Sequence, residues 1–320
     1  MSSALLIVAG LAGLLFGADL LVRGGTALAS HLGVRPIVIG LTVVALGTSL
    51  PELAVGIDAV RRGSPGLAVG NIVGTNLVNI LFILGLSALI RPIAFERRTL
   101  RFDLPAMTGA SLALWLLALD GSLTRTDGII LCLGGAAYTA GIIWTSRQES
   151  AAVRADYASH SQRTTSRSRR GLALRVLTVS VGIGLVLLGA EFLVDGSIDI
   201  ARSLEVSEAT IGLTVIAIGT SAPELVTTIT STLRGDRDIA VGNLLGSTVY
   251  NIALVLGITI LASPAELQIP QEVITGDLLV LAVVALVTVP VLLSGHRISR
   301  LEGCAFVATY LGYLAWLTLV

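Results

Sequence analysis

Two glutamates stand where an acid is hardest to keep. "ALGTSLPELAVG" and "AIGTSAPELVTT" each place one, Glu52 and Glu224, directly after a proline inside an otherwise apolar run. A charge at the centre of a bilayer costs at least about 2.5 to 3.5 kcal/mol, so an intramembrane acid is functional by default. Pro51 lacks an N–H and its ring crowds the Gly47 carbonyl, which kinks the helix and frees backbone oxygens near residues 45 to 48. In lipid such oxygens are tolerated only where they face protein or a hydrated cavity. Thr48 and Glu52 are four residues apart and share a face, with Ser49 beside them. Pro223 builds the same group of hydroxyl, carbonyl and carboxylate oxygens from Thr220, Ser221 and Glu224.

The next apolar segment of each half adds a polar row. Asn71, Thr75 and Asn79 recur at a spacing of four with Asn76 adjacent, and Asn243, Ser247 and Asn251 match them in the second half. An all-oxygen set with two carboxylates suits hard cations such as Ca2+ or Na+ rather than zinc or copper. The three histidines, His31, His160 and His296, fall in predicted loops, and Cys132 and Cys304 each sit alone in an apolar run as packing residues. Taken singly, a proline kink or a row of Asn, Ser and Thr can be structural, since such side chains also join helices by hydrogen bonds. The paired glutamates beside paired kinks are the functional core. Asp19 and Glu191 correspond near helix ends, where a structural or gating role fits, and Asp58 is unassigned because Thr230 stands at its counterpart.

These residues need a membrane around them. With 54% hydrophobic and 13% charged residues and a mean hydropathy of +0.88, the chain reads as a polytopic membrane protein. A span needs about 20 apolar residues. That ruler predicts ten helices, at 3–22, 36–60, 66–90, 103–119, 127–145, 173–195, 208–233, 238–262, 273–293 and 301–319. The opening "MSSALLIVAGLAGLLFG" lacks the basic start of a cleaved signal and reads as a retained first helix. The Ser/Arg-rich segment 146–172 reads as a surface linker. All 21 basic residues are arginine; with the N-terminus outside, 17 fall in cytoplasmic loops or the linker and 4 outside. That asymmetry predicts a cytoplasmic linker and both termini outside.

An offset of 172 residues aligns the two halves. "IGLTVVALGTSLPEL" at Ile39 becomes "IGLTVIAIGTSAPEL" at Ile211, and "AVGNIVGTNLVNI" at Ala68 becomes "AVGNLLGSTVYNI" at Ala240. Five helices per copy is odd, so the second copy enters the membrane from the opposite side. The predicted fold is an all-α integral membrane protein, with inverted-topology five-helix repeats over 1–145 and 173–320. Secondary transporters use this architecture and place their sites at the midplane, where broken helices meet.

At "GTSLPE" with "GNIVGTNLVN" and "GTSAPE" with "GNLLGSTVYN", the sequence resembles the cation/calcium antiporter superfamily, specifically the prokaryotic sodium/calcium exchangers. The resemblance covers nearly the whole chain. It implies that Glu52 and Glu224 ligate Ca2+ together, aided by the Thr48 and Thr220 carbonyls. It also implies sodium sites from Ser49, Ser221, Thr75, Ser247 and the carbonyls of Ala45 and Ala217, with Asn79 and Asn251 completing the central region; Asn71 and Asn243 are candidate ion ligands from the polar rows. Some relatives carry Asp where Asn251 stands, and Thr75 replaces a more usual Ser. The expected activity is exchange of Ca2+ for Na+ by alternating access in a prokaryotic cell membrane. The alternatives are proton/calcium exchange and, from another class, a cation channel. The chain has no HExxH, nucleophile elbow or phosphate loop, so no enzyme is expected. The expected partners are the two ions and the lipid bilayer, with no cofactor, nucleic acid or inferable protein partner.

Overall fold

The computed structural model describes residues 3–147, 169–204 and 217–317. The linker expected at 146–172 lies mostly outside them, its ends continuing the flanking helices to Arg147 and from Arg169, and the start of the helix expected at 208–233 lies outside them too. The described chain is helical apart from four two-residue strands. These pair Ile93–Ala94 with Arg297–Ile298, and Ser122–Leu123 with Leu267–Gln268. Among the described residues, seven helices are long and apolar enough to cross a membrane.

We label the longer helices in chain order. They are α1 (Ser3–Leu32), α2 (Pro36–Arg61), α3 (Pro65–Ile90), α4 (Asp103–Leu117) and α5 (Arg125–Arg147). The second half contributes α6 (Arg169–Ser203), α7 (Ala222–Arg234), α8 (Arg237–Ala262), α9 (Gln271–Gly295) and α10 (Arg300–Leu317). Prolines start α2 and α3, where the missing N–H has no intrahelical acceptor to lose. Gly33, after α1, and Gly235, after α7, take positive φ of 67° and 79°, the left-handed turn that stops a helix.

Several expected boundaries need correction. The first helix continues to Leu32 instead of ending at residue 22, because Arg23 forms an ion pair of 3.0 Å with Asp19 one turn back and stays helical. The helix expected at 173–195 runs from Arg169 to Ser203, carrying Asp195 and Asp199 within it. The segment expected at 103–119 forms a helix of only 15 residues, cut off at Phe102 from the short helix Arg97–Arg101. At 1.5 Å per residue that is about 22 Å, short of a hydrocarbon core of about 30 Å.

The chain forms two compact units, each drawn from both halves of the sequence. One comprises Met1–Thr48 and Ala140–Asn243, the other Ser49–Thr139 and Leu244–Val320. In the first, α1 lies along α6 through glycines, so that a Cβ added at Gly10 would meet Leu193 N at 2.6 Å and Gly189 O at 2.8 Å. Leu14, Ala18, Val186, Ala190 and Ala222 close the core between α1, α6 and α7. In the second, α3 packs on the Leu50–Arg61 part of α2, on the end of α8 and on α10. There a Cβ at Gly85 would meet Gly303 O at 2.9 Å.

Candidate ion-binding site

Each proline motif breaks its helix at the serine. Ser49 has φ −84° and ψ 6°, and Ser221 has φ −86° and ψ 0°. Short helices, Ala45–Thr48 and Ala217–Thr220, precede the breaks. The expected kinks are therefore real interruptions, and they bring a glutamate into the first turn of each following segment, Glu52 in the Leu50–Arg61 part of α2 and Glu224 in α7. Both carboxylates are 0% exposed. The first turn is also where a helix dipole favours negative charge.

In the first unit, Thr48 and Asn243 meet directly. The Thr48 hydroxyl donates to Asn243 Oδ1 at 3.1 Å and lies 3.3 Å from the Ala45 carbonyl. Asn243 Nδ2 then donates to Thr228 Oγ1 at 3.1 Å. Ser221 is buried and its hydroxyl has no protein partner. Thr220 is half-buried, and Ala217 starts the short helix that ends at Thr220.

In the second unit, Ser49, Glu52, Thr75, Asn76, Asn79, Ser247 and Asn251 are all buried. Asn251 Nδ2 donates to Asn76 Oδ1 at 3.4 Å, and Asn251 Oδ1 is left without a partner. Neither polar atom of Asn79 has a protein partner, and Asn71 Nδ2 is likewise unpaired. Buried amides are rarely left so, and here the orphaned atoms lie along α3 and α8. Asn79 and Asn251 both lie in π-helical turns, Val78–Ile83 and Asn251–Leu256. Such turns widen the helix and frequently mark functional sites.

Spacing alone missed the residues behind these groups. Tyr250, next to Asn251, is fully buried, and its hydroxyl lies 3.0 Å from Thr139 Oγ1. Its ring meets Tyr138 edge-on at 5.7 Å, and the Tyr138 hydroxyl donates to Asp103 at 3.2 Å. The one signal in the sequence was an acid, Asp103, at the start of an apolar segment. Asp19 pairs with Arg23 and Arg234, tying α1 to the end of α7, whereas Glu191 is exposed. Asp58 is an exposed helix-surface partner of Arg62 at 2.7 Å. His31, expected in a loop, lies in the last turn of α1, where its Nδ1 accepts a hydrogen bond from Arg175 Nη1 at 2.8 Å; His160 lies outside the described residues. Cys132 and Cys304 are free, and the Cys132 sulfur packs against Gly257.

A family profile described as sodium/calcium exchanger protein matches residues 2–144 and 174–319. The inner membrane protein YrbG of Escherichia coli is 39% identical over 277 residues, covering 84% of this chain and 82% of that protein. The sodium/calcium exchanger MaX1 of Methanosarcina acetivorans is 29% identical and covers 97% of each chain. Among solved structures, the sodium-calcium exchanger NCX_Mj superposes with a TM-score of 0.83 at 28% identity, covering 98% of both chains.

Proposed function

The chain belongs to the sodium/calcium exchanger protein family, and from that premise we propose that it exchanges Ca2+ for Na+ across a prokaryotic cell membrane by alternating access. The family consists of membrane transporters, which fits a chain whose chemistry lies in buried oxygens. Glu52 and Glu224 supply the carboxylates for Ca2+, with the Thr48 and Thr220 carbonyls. Ser49, Thr75, Ser221, Ser247 and the carbonyls of Ala45 and Ala217 serve Na+, and Asn71, Asn79, Asn243 and Asn251 complete the central region. Ten transmembrane helices in two inverted repeats, with both termini outside, carry these residues.

One observation carries this reading: two fully buried glutamates each occupy the first turn after a break in an apolar helix. Burying an ionised carboxylate is tolerable only with a compensating charge. A hard cation supplies that charge with the ligand type both motifs offer. Ca2+ uptake into vesicles tests the proposal, with an imposed Na+ gradient compared against a pH gradient of similar size. Uptake driven by Na+ supports it. Uptake driven by the pH gradient alone would assign proton coupling, and uptake needing neither gradient would indicate a channel.

A further inference from the structure

Helix α7 is built inside out for a soluble protein. Beyond Pro223 its buried side chains are polar, Glu224, Thr227, Thr228, Ser231 and Thr232, while Leu233 is 68% exposed and Leu225, Val226 and Ile229 are partly so. Positions 224, 227, 228 and 231 follow i, i+3, i+4 and i+7 and form one stripe. At 1.5 Å per residue, Ser231 lies about 10 Å along the axis from Glu224.

The hydrogen bonds decide what this stripe presents. Ser231 Oγ donates to the Thr227 carbonyl and Thr232 Oγ1 to the Thr228 carbonyl, both at 2.8 Å. A hydroxyl has one proton and two lone pairs. With the proton spent on its own helix, Ser231 offers lone pairs only. Thr228 Oγ1 accepts from Asn243, and Thr227 Oγ1 is buried with no protein partner. Ser231 is thus an acceptor only, and the Thr227 and Thr228 hydroxyls keep lone pairs that can turn to a cation, so the row offers it successive oxygens. Nor does the fold demand them. The 172-residue register puts Val55, Gly56, Ala59 and Val60 at the matching places on the Glu52 helix, which carries no hydroxyl there; the hydroxyl against Gly56 is that of Thr259 on α8.

We propose that the Thr227–Thr228–Ser231 stripe is a transit path for a partly dehydrated cation, running from Glu224 to the Arg234 end of α7. The inference rests on the exchange reading, and in the orientation with both termini outside that end is cytoplasmic. The path is one-sided, because the Glu52 helix carries no row of hydroxyls at the corresponding positions.

The test uses the full chain in proteoliposomes of determined orientation, with Ca2+ titrated separately on each face. Thr227→Val and Ser231→Ala together should weaken the apparent Ca2+ affinity about tenfold, equivalent to about 1.4 kcal/mol, on the Arg234 face alone. Wild-type kinetics on both faces, or equal losses on both, would overturn the path. A second readout does not depend on exchange. Ser231→Cys, in a background lacking Cys132 and Cys304, should react faster with a cationic methanethiosulfonate than with an anionic one of similar size, and Ca2+ should slow the reaction. Ala59→Cys, its counterpart, should show no such preference. A Ser231→Cys protein indifferent to reagent charge refutes the path even where exchange is normal. A wild type that does not exchange but shows the labelling preference refutes the transport reading and leaves the cation path standing.

Discussion

Two alanines on one helix separate packing from everything else. At Gly189 of α6, an added Cβ would lie 2.5 Å from Leu14 N, 2.8 Å from Gly10 O and 2.9 Å from Gly13 C. All three are backbone atoms, so no side chain can rotate away, and α1 and α6 must part by about 1 Å to restore ordinary contact at 3.4 Å or more. Overpacking of this kind costs about 1 to 3 kcal/mol. At Gly184, on the same helix, the added Cβ meets nothing within 4 Å. Alanine gains about 0.8 to 1 kcal/mol over glycine in a helix at either position, so the difference between the variants isolates the helix contact. Gly184→Ala should be neutral or slightly stabilising, and Gly189→Ala should be less stable than it by about 1 to 3 kcal/mol. Reversible denaturant titration of both proteins in mixed micelles reads this directly. Equal midpoints would refute glycine-spaced packing of α1 on α6, since close approach of backbones is what joins helices in lipid.

Other consequences follow from the site and its surroundings. Glu52→Gln and Glu224→Gln should each abolish Ca2+ exchange in proteoliposomes while the protein remains folded and inserted; wild-type transport by either would exclude its carboxylate from the site. Asn71→Ala should be milder, because water can replace a neutral oxygen. Burial holds the Asp236 carboxyl above its usual range, with Arg234 pulling it down and Asp238 pushing it up. Its contribution to stability is fully present below the unfolded pKa of about 3.9 and is lost as pH rises through the raised folded value. Asp236→Asn should therefore be more stable than the wild type at neutral pH, by a margin that vanishes in acid; a pH-independent margin counts against the burial account. With both termini outside, a cysteine at Ser161 in a background lacking Cys132 and Cys304 should resist impermeant thiol reagents in intact cells, and ready labelling would reverse the orientation.

Much of the site was legible because its residues violate the rules of their surroundings. Pro51 and Glu52 stand out in lipid, and their breaks appear at Ser49 and Ser221 where a missing N–H puts them. Helix ends were harder. Arg23 reads as a boundary by charge, yet Asp19 neutralises it and α1 continues. The break at Phe102 leaves no comparable mark in hydropathy. The α7 stripe escaped notice because threonine is nearly neutral on any hydropathy scale, so its burial shows only in three dimensions. Contacts such as Thr48 with Asn243, or Tyr138 with Asp103, join positions that no local period relates.

Release of trapped Ca2+ tests coupled exchange most directly. If both glutamates stay ionised when the empty protein closes, the closed state carries two uncompensated charges in a low dielectric. At about 2.5 to 3.5 kcal/mol each, that disfavours empty occlusion by roughly 10³ to 10⁵, so only the ion-loaded protein crosses readily between its two faces. Proteoliposomes loaded with Ca2+ and diluted above neutral pH into choline buffer free of Na+ and Ca2+ should hold their Ca2+, then release it quickly when Na+ is added outside. Fast release into choline alone, with the membrane potential clamped, would contradict coupled exchange.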